Sequence, residues 1–162
     1  MAASNATSDN AVDLTALETV SDGYYVFDRP LTIVTCALNS KYVCYESCHQ
    51  CTRKVLRETK GHHTITACPV HGRQKGAPVY KYAWGILLGD RKGVELWVTA
   101  FDTVAHRSIG LSANDYMSLK TPEERCNVLT VLHGKQTRVT IRKSSKGGYA
   151  NYSASALEVV EQ

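Results

Sequence analysis

The sequence predicts an all-β domain with a minor helical part. Five strand-like segments, apolar or alternating, are separated by turn residues, and a helix-compatible window lies between the third and fourth of them. A polar stretch carrying paired Cys and His residues interrupts the chain after the first. The 162 residues suffice for one core, and 43% hydrophobic with 21% charged residues is ordinary for a globular protein. No apolar run is long enough to span a bilayer, and Met1 to Asn10 lacks the charged start and apolar stretch of a secretory signal. A reducing compartment is therefore expected. There, six cysteines point to a metal site rather than a disulfide framework. The net charge of +4 permits a nucleic-acid partner without demanding one.

Residues 1–22, rich in Ser, Ala, Asn, Asp and Thr, read as a loose arm, and 23–162 as the folded domain. Leu31 to Leu38 is β-branched and apolar and reads as a strand, turned at Asn39-Ser40, with Tyr42 to Tyr45 leading into the cysteine cluster. Between about 45 and 75 the chain is too polar to build its own core. Val79 to Leu88 and Val94 to Phe101 read as two strands joined by the hairpin Gly89 to Gly93. Thr103 to Leu119 reads as two short helical pieces broken near Gly110, with Ser112 and Asp115 as caps. Pro122 opens a further helix. Gln136 to Lys143 and Tyr149 to Val160 read as the last strands around a turn at Ser144 to Gly148. Five strands with a helix after the third is the layout of a five-stranded Greek-key barrel, the OB fold.

Cys48-His49-Gln50-Cys51 and Cys68-Pro69-Val70-His71 form two knuckles, each offering two ligands from one tight turn. Three thiolates and one imidazole suit Zn2+, and four protein ligands leave no open position for a reacting water, so a structural role is expected. The metal would supply the folding energy that the polar segment lacks. His49, His62 and His63 compete with His71 for the fourth place. His62 and His63 are expected at the tip of a ribbon hairpin. Cys36, Cys44 and Cys126 read as buried small apolar residues.

With these residues in place, the chain resembles the C-terminal DNA-binding domain of the large subunit of replication protein A and its paralogues. The resemblance rests on Tyr45 to Val55, Cys68 to His71, Tyr80-Lys81-Tyr82, Trp97 to Phe101, Ile109 to Leu119, Arg138 to Lys143 and Ala154 to Val159. It covers about 31 to 160. It implies an OB barrel with a zinc ribbon after the first strand and a non-catalytic module binding single-stranded DNA. It also implies a nuclear location and a part in replication, repair, recombination or telomere maintenance. Other OB-fold subunits of a larger complex are the implied protein partners. The chain departs from the family in two ways. Cysteine is the family's commoner fourth ligand, where His71 stands here. The chain also stops at Gln162, before the helix through which the family's large subunit trimerises, so that mode of assembly is not expected.

A barrel of this kind binds single strands across its second and third strands, using flat side chains for bases and cations for phosphates. Alternation places Glu95, Trp97 and Thr99 opposite the aliphatic set Leu96, Val98 and Ala100, so Trp97 faces outward. Tyr80, Tyr82 and Trp84 share a face of the second strand and Lys81 and Ala83 the other. Alternation alone leaves open which is wet, because a bulge inverts parity. By resemblance Trp84 falls where sister domains carry a stacking aromatic; stacking and core packing are both open for Trp84 and Trp97. Phe101, beside the helix, reads as core. Arg138 and Arg142 line one face of the fourth strand, Lys143 continues towards the following loop, and Arg91 and Lys92 sit at a hairpin tip. The candidate interface is thus Tyr82, Trp84, Trp97, Lys81, Arg91, Lys92, Arg138, Arg142 and Lys143. Stacking and charge do not separate DNA from RNA. No membrane and no small-molecule substrate is expected. The competing reading is an OB scaffold for protein–protein contacts with weak nucleic-acid affinity. A zinc deaminase would need a glutamate beside its first ligand and an open coordination position, and neither is evident.

Overall fold

The computed structural model describes residues 12–160. Five strands close a barrel. They are β2 (Leu31–Cys36), β7 (Val79–Gly89), β8 (Glu95–Phe101), β10 (Tyr149–Val159) and β9 (Gln136–Lys146), in that spatial order. All neighbours are antiparallel except β8 and β10, and the β9–β2 pairing at Leu31↔Thr137 completes the circle. This is the OB connectivity, and closure leaves no edge strand within the barrel. A short strand β1 (Gly23–Tyr25), which sequence alternation did not single out, adds to the outside of β9 with Tyr24 opposite Arg142.

The strands form where the pattern places apolar side chains every second residue. Along β7, Tyr82, Trp84, Ile86 and Leu88 all point inward, and Trp84 faces Ala100 while Ile86 faces Val98. The first strand is interrupted: β2 ends at Cys36, a 3₁₀ turn follows at Ser40–Tyr42, and β3 (Cys44–Ser47) rejoins β7. β3 delivers the chain into the ribbon, a three-stranded sheet of β4 (Leu56–Lys60), β5 (His63–Cys68) and β6 (Gly72–Arg73).

Helices cover the end where β7 starts and β8 stops. They are α1 (Asp102–Ile109), α2 (Ala113–Met117) and α3 (Pro122–Thr130). Gly110 ends α1 at φ 87°, a left-handed conformation that favours glycine, and Ser112 caps α2 by accepting from the Asp115 N–H. Asp115 itself therefore sits inside the first turn rather than at the cap. The Tyr82 hydroxyl donates to the carbonyls of Leu111 and Ser112, tying this cover to the core.

The expected loose arm over 1–22 needs correction from Val12 onward, while residues 1–11 lie outside the described residues. Leu14–Glu18 forms a 3₁₀ helix whose Leu14 and Leu17 enter the main core. Its carbonyl end is held by the Lys143 ammonium, which donates to Leu17, Glu18 and Val20. Leu14 and Leu17, with Val12 and Val20 beside them, were its sequence signal. Among the described residues no helix is long and apolar enough to cross a membrane.

Candidate metal centre and nucleic-acid interface

The two knuckles converge. The ligand atoms of Cys48, Cys51, Cys68 and His71 all lie within 4.8 Å of one another. The Cys51 and Cys68 sulfurs are 3.7 Å apart, and His71 Nδ1 lies 3.5 Å from Cys48 Sγ and 3.7 Å from Cys68 Sγ. A tetrahedral zinc with ordinary bond lengths sets S···S edges of about 3.8 Å and S···N edges of about 3.6 Å. The donor set therefore fits a metal ion and is consistent with zinc. His71 fills the fourth place that the spacing left open, while His49, His62 and His63 are exposed and outside the cluster.

Backbone donors prepare the sulfurs. The Gln50 N–H points at Cys48 Sγ (3.3 Å) and the Val70 N–H at Cys68 Sγ (3.4 Å). Burial pushes the Cys68 thiol up, but the N–H groups of His71 and Val70 and the neighbouring thiols outweigh it and bring it to about 7. Cys48 is lowered in the same way, with burial opposed by the N–H groups of Gln50 and Cys51. Gln74 ties the knuckles together: its Oε1 accepts from the His49 N–H at 2.9 Å and its Nε2 donates to the Gly72 carbonyl at 3.0 Å. Sequence reasoning missed Gln74, since a lone glutamine carries no pattern. Apart from its cysteines, the ribbon core holds only Val55 among the described residues, which leaves cohesion to the ligands. By contrast, burial pushes Cys36 up to about 11 and Cys44 up to about 12, marking them as protonated core residues. Cys126 is half-buried.

On the barrel the parity question resolves. The β7–β8 register runs without a break from Ala83↔Phe101 to Gly89↔Glu95, so no bulge inverts it. Tyr82 and Trp84 are 0% exposed, and the Trp84 indole donates to the Ala37 carbonyl. Neither can offer a face to a base, which corrects both assignments, including the one that rested on resemblance. Lys143 is corrected too. It shares inward parity with Val139 and Ile141, and its charge is spent on the three carbonyls of the N-terminal segment.

The outward face has a different aromatic pair. Trp97 is 54% exposed and Phe101 is 53% exposed. Four residues apart on one strand, they stand about 13 Å from each other. Phe101, expected in the core, shares the parity of Trp97; its place beside α1 had masked that signal. Between them the floor is small: Ala83 and Gly85 on β7 and Thr99 on β8. The Trp97 ring lies against Gly85, where an added Cβ would meet it at 3.8 Å. Lys81 flanks this face in a 3.6 Å ion pair with Asp102. Arg91 and Lys92 are exposed at the hairpin tip, Lys92 3.6 Å from Asp13. Arg138 and Arg142 are exposed on β9, further round the barrel.

A closed five-stranded barrel with a Cys₃His ribbon leaving its first strand defines an OB-fold domain whose insert has a donor set able to hold a metal ion. Residues 30–155 match the family described as the replication factor-A C-terminal domain, and the chain belongs to that family. No curated protein matches it in sequence. Two solved structures share the fold. A replication protein A heterotrimer bound to ssDNA contains a chain with a TM-score of 0.76 and 19% identity, over 93% of this chain and 36% of that one. A yeast RPA structure bound to ssDNA gives a TM-score of 0.71 and 19% identity, over 93% of this chain and 88% of that one.

Proposed function

We propose that the chain is a non-catalytic module that binds single-stranded DNA across the outer face of β7 and β8. A structural zinc on Cys48, Cys51, Cys68 and His71 shapes the ribbon that walls the groove. The observation that carries this is the exposure of Trp97 and Phe101 on one face of β8 above a floor of Ala83, Gly85 and Thr99. Both rings stand on the same outer face of β8, and flat faces over a shallow floor suit unpaired bases. Lys81, Arg91 and Lys92 border the same face and supply charge for phosphates. Family membership and the ssDNA in both similar structures support the reading. With it go a nuclear location and work in replication, repair, recombination or telomere maintenance. Stacking and charge read no 2′-hydroxyl, so single-stranded RNA competes for the same face.

A second reading, a scaffold for other OB-fold subunits, is favoured by the heterotrimer among the similar structures. Fluorescence anisotropy with a labelled oligothymidylate at two salt concentrations separates the two. Wild type binds more weakly at the higher salt, and Trp97→Ala with Phe101→Ala loses about 1–3 kcal/mol per aromatic while staying folded. Absence of any salt-dependent binding would favour the scaffold.

A further inference from the structure

The platform does not end at Phe101. A groove of about 360 Å³ beside it is lined by Tyr24, Phe101, Arg142 and Ser153. A larger one of about 1020 Å³ lies between residues 26–30, α1 and the outer faces of β9 and β10. The two share Thr103, Val104 and Ser155, so the Phe101 end of the platform opens into the larger groove. Register gives the same path: Thr99 on β8 pairs Ser153 on β10, which pairs Arg142 on β9, which pairs Tyr24 on β1. At about 4.8 Å per strand, Arg142 lies about 10 Å from Thr99.

Three elements bring arginines to the larger groove: Arg29 before β2, Arg107 on α1 and Arg138 on β9. All three are exposed, and among the described residues neither they nor Arg142 form an ion pair. Its acidic lining residues are Asp28 and Glu158, the latter opposite Arg138 in the β9–β10 register. At the narrower end Arg142 lies over the Tyr24 ring, 5.9 Å from its centroid. Asp102, the acidic residue there, is already engaged by Lys81 and by the Tyr82 N–H.

We propose that this second groove carries the phosphodiester backbone of the same single strand after it leaves the Trp97–Phe101 platform. The inference rests on the function proposed above. Guanidinium forks match phosphate oxygens, and the Thr140 hydroxyl lines the groove as a further donor, while the hydroxyls of Ser155 and Ser108 donate to the Thr140 and Val104 carbonyls. A protein partner would need apolar sockets. Here Val139 and Leu157 are turned into the core, and Phe27 and Val159 are packed against it.

The test compares oligothymidylates of about 6 and about 16 nucleotides, bracketing the reach of one OB barrel. The double variant Arg107→Ala, Arg138→Ala removes only exposed side chains, so the fold is kept. It leaves the short strand's affinity unchanged and lowers the long strand's. The long strand's salt slope falls by about 1.4, at about 0.7 per phosphate contact. Long-strand affinity and slope unchanged in this variant would overturn the groove alone. Wild type binding neither length would overturn the platform and the groove together. A variant that keeps the long strand but loses an oligoglutamate peptide held by wild type would place a protein partner there and overturn the proposal as well.

Discussion

The barrel and the ribbon belong to one chain but are held together by different physics. The barrel buries Tyr82, Trp84, Ile86, Leu88 and Ile141 completely, and its strands close on themselves. The ribbon has Val55 and four ligand side chains. The difference teaches where each region fails: the barrel through lost packing, the ribbon through lost ligands.

The largest expected effect follows from removing the proposed zinc. Structural zinc contributes on the order of 10–16 kcal/mol to isolated fingers, so chelation or Cys68→Ser melts β4, β5 and β6. Hydrogen exchange then shows deprotected ribbon amides beside a protected barrel. Loss of protection in both regions together would break the contrast. The complementary change is Trp84→Ala, expected to cost the barrel about 3–5 kcal/mol in a urea melt. Trp97→Ala, on the solvent side, stays within about 0.5 kcal/mol in the same melt.

Lys143→Met comes next. It strips three carbonyls of their donor and loosens the 3₁₀ segment by about 1–3 kcal/mol. Limited proteolysis reads this as faster cutting between Val12 and Asp22, with the barrel itself resistant.

The smallest effect concerns alkaline pH. Cys36 and Cys44 have folded values of about 11 and about 12 against 9.0 in the unfolded chain. Raised values favour the thiol form in the native state, so this stability is complete below about pH 9 and declines as pH rises through the folded values. Cys36→Ala with Cys44→Ala flattens that decline in melts at about pH 8 and about pH 10.5.

How much of this was legible depended on the kind of signal. Strand order was readable because alternation and turn residues are local, and the knuckles were readable because two ligands per tight turn leave a fixed spacing. The interface was harder. Tyr82 and Trp84 look like stacking residues until their parity is followed through Ile86 and Leu88 into the core. Phe101 follows the parity of Trp97, yet its helix-adjacent place suggested burial. Lys143 reads as a phosphate contact unless its inward parity is weighed against a carbonyl cage supplied from more than 120 residues away. The docked N-terminal segment depends on such distant partners, and Gln74 on a backbone N–H of the other knuckle, which no local pattern encodes.

The two tryptophans give the most direct test of the central claim, because one lies in each environment of the barrel. In Trp84→Phe the only indole is the exposed Trp97, and a single-stranded oligothymidylate is expected to quench its emission, less so at higher salt. In Trp97→Phe the only indole is the buried Trp84, and the same titration is expected to leave it unchanged. Quenching in the second variant and none in the first would contradict the account.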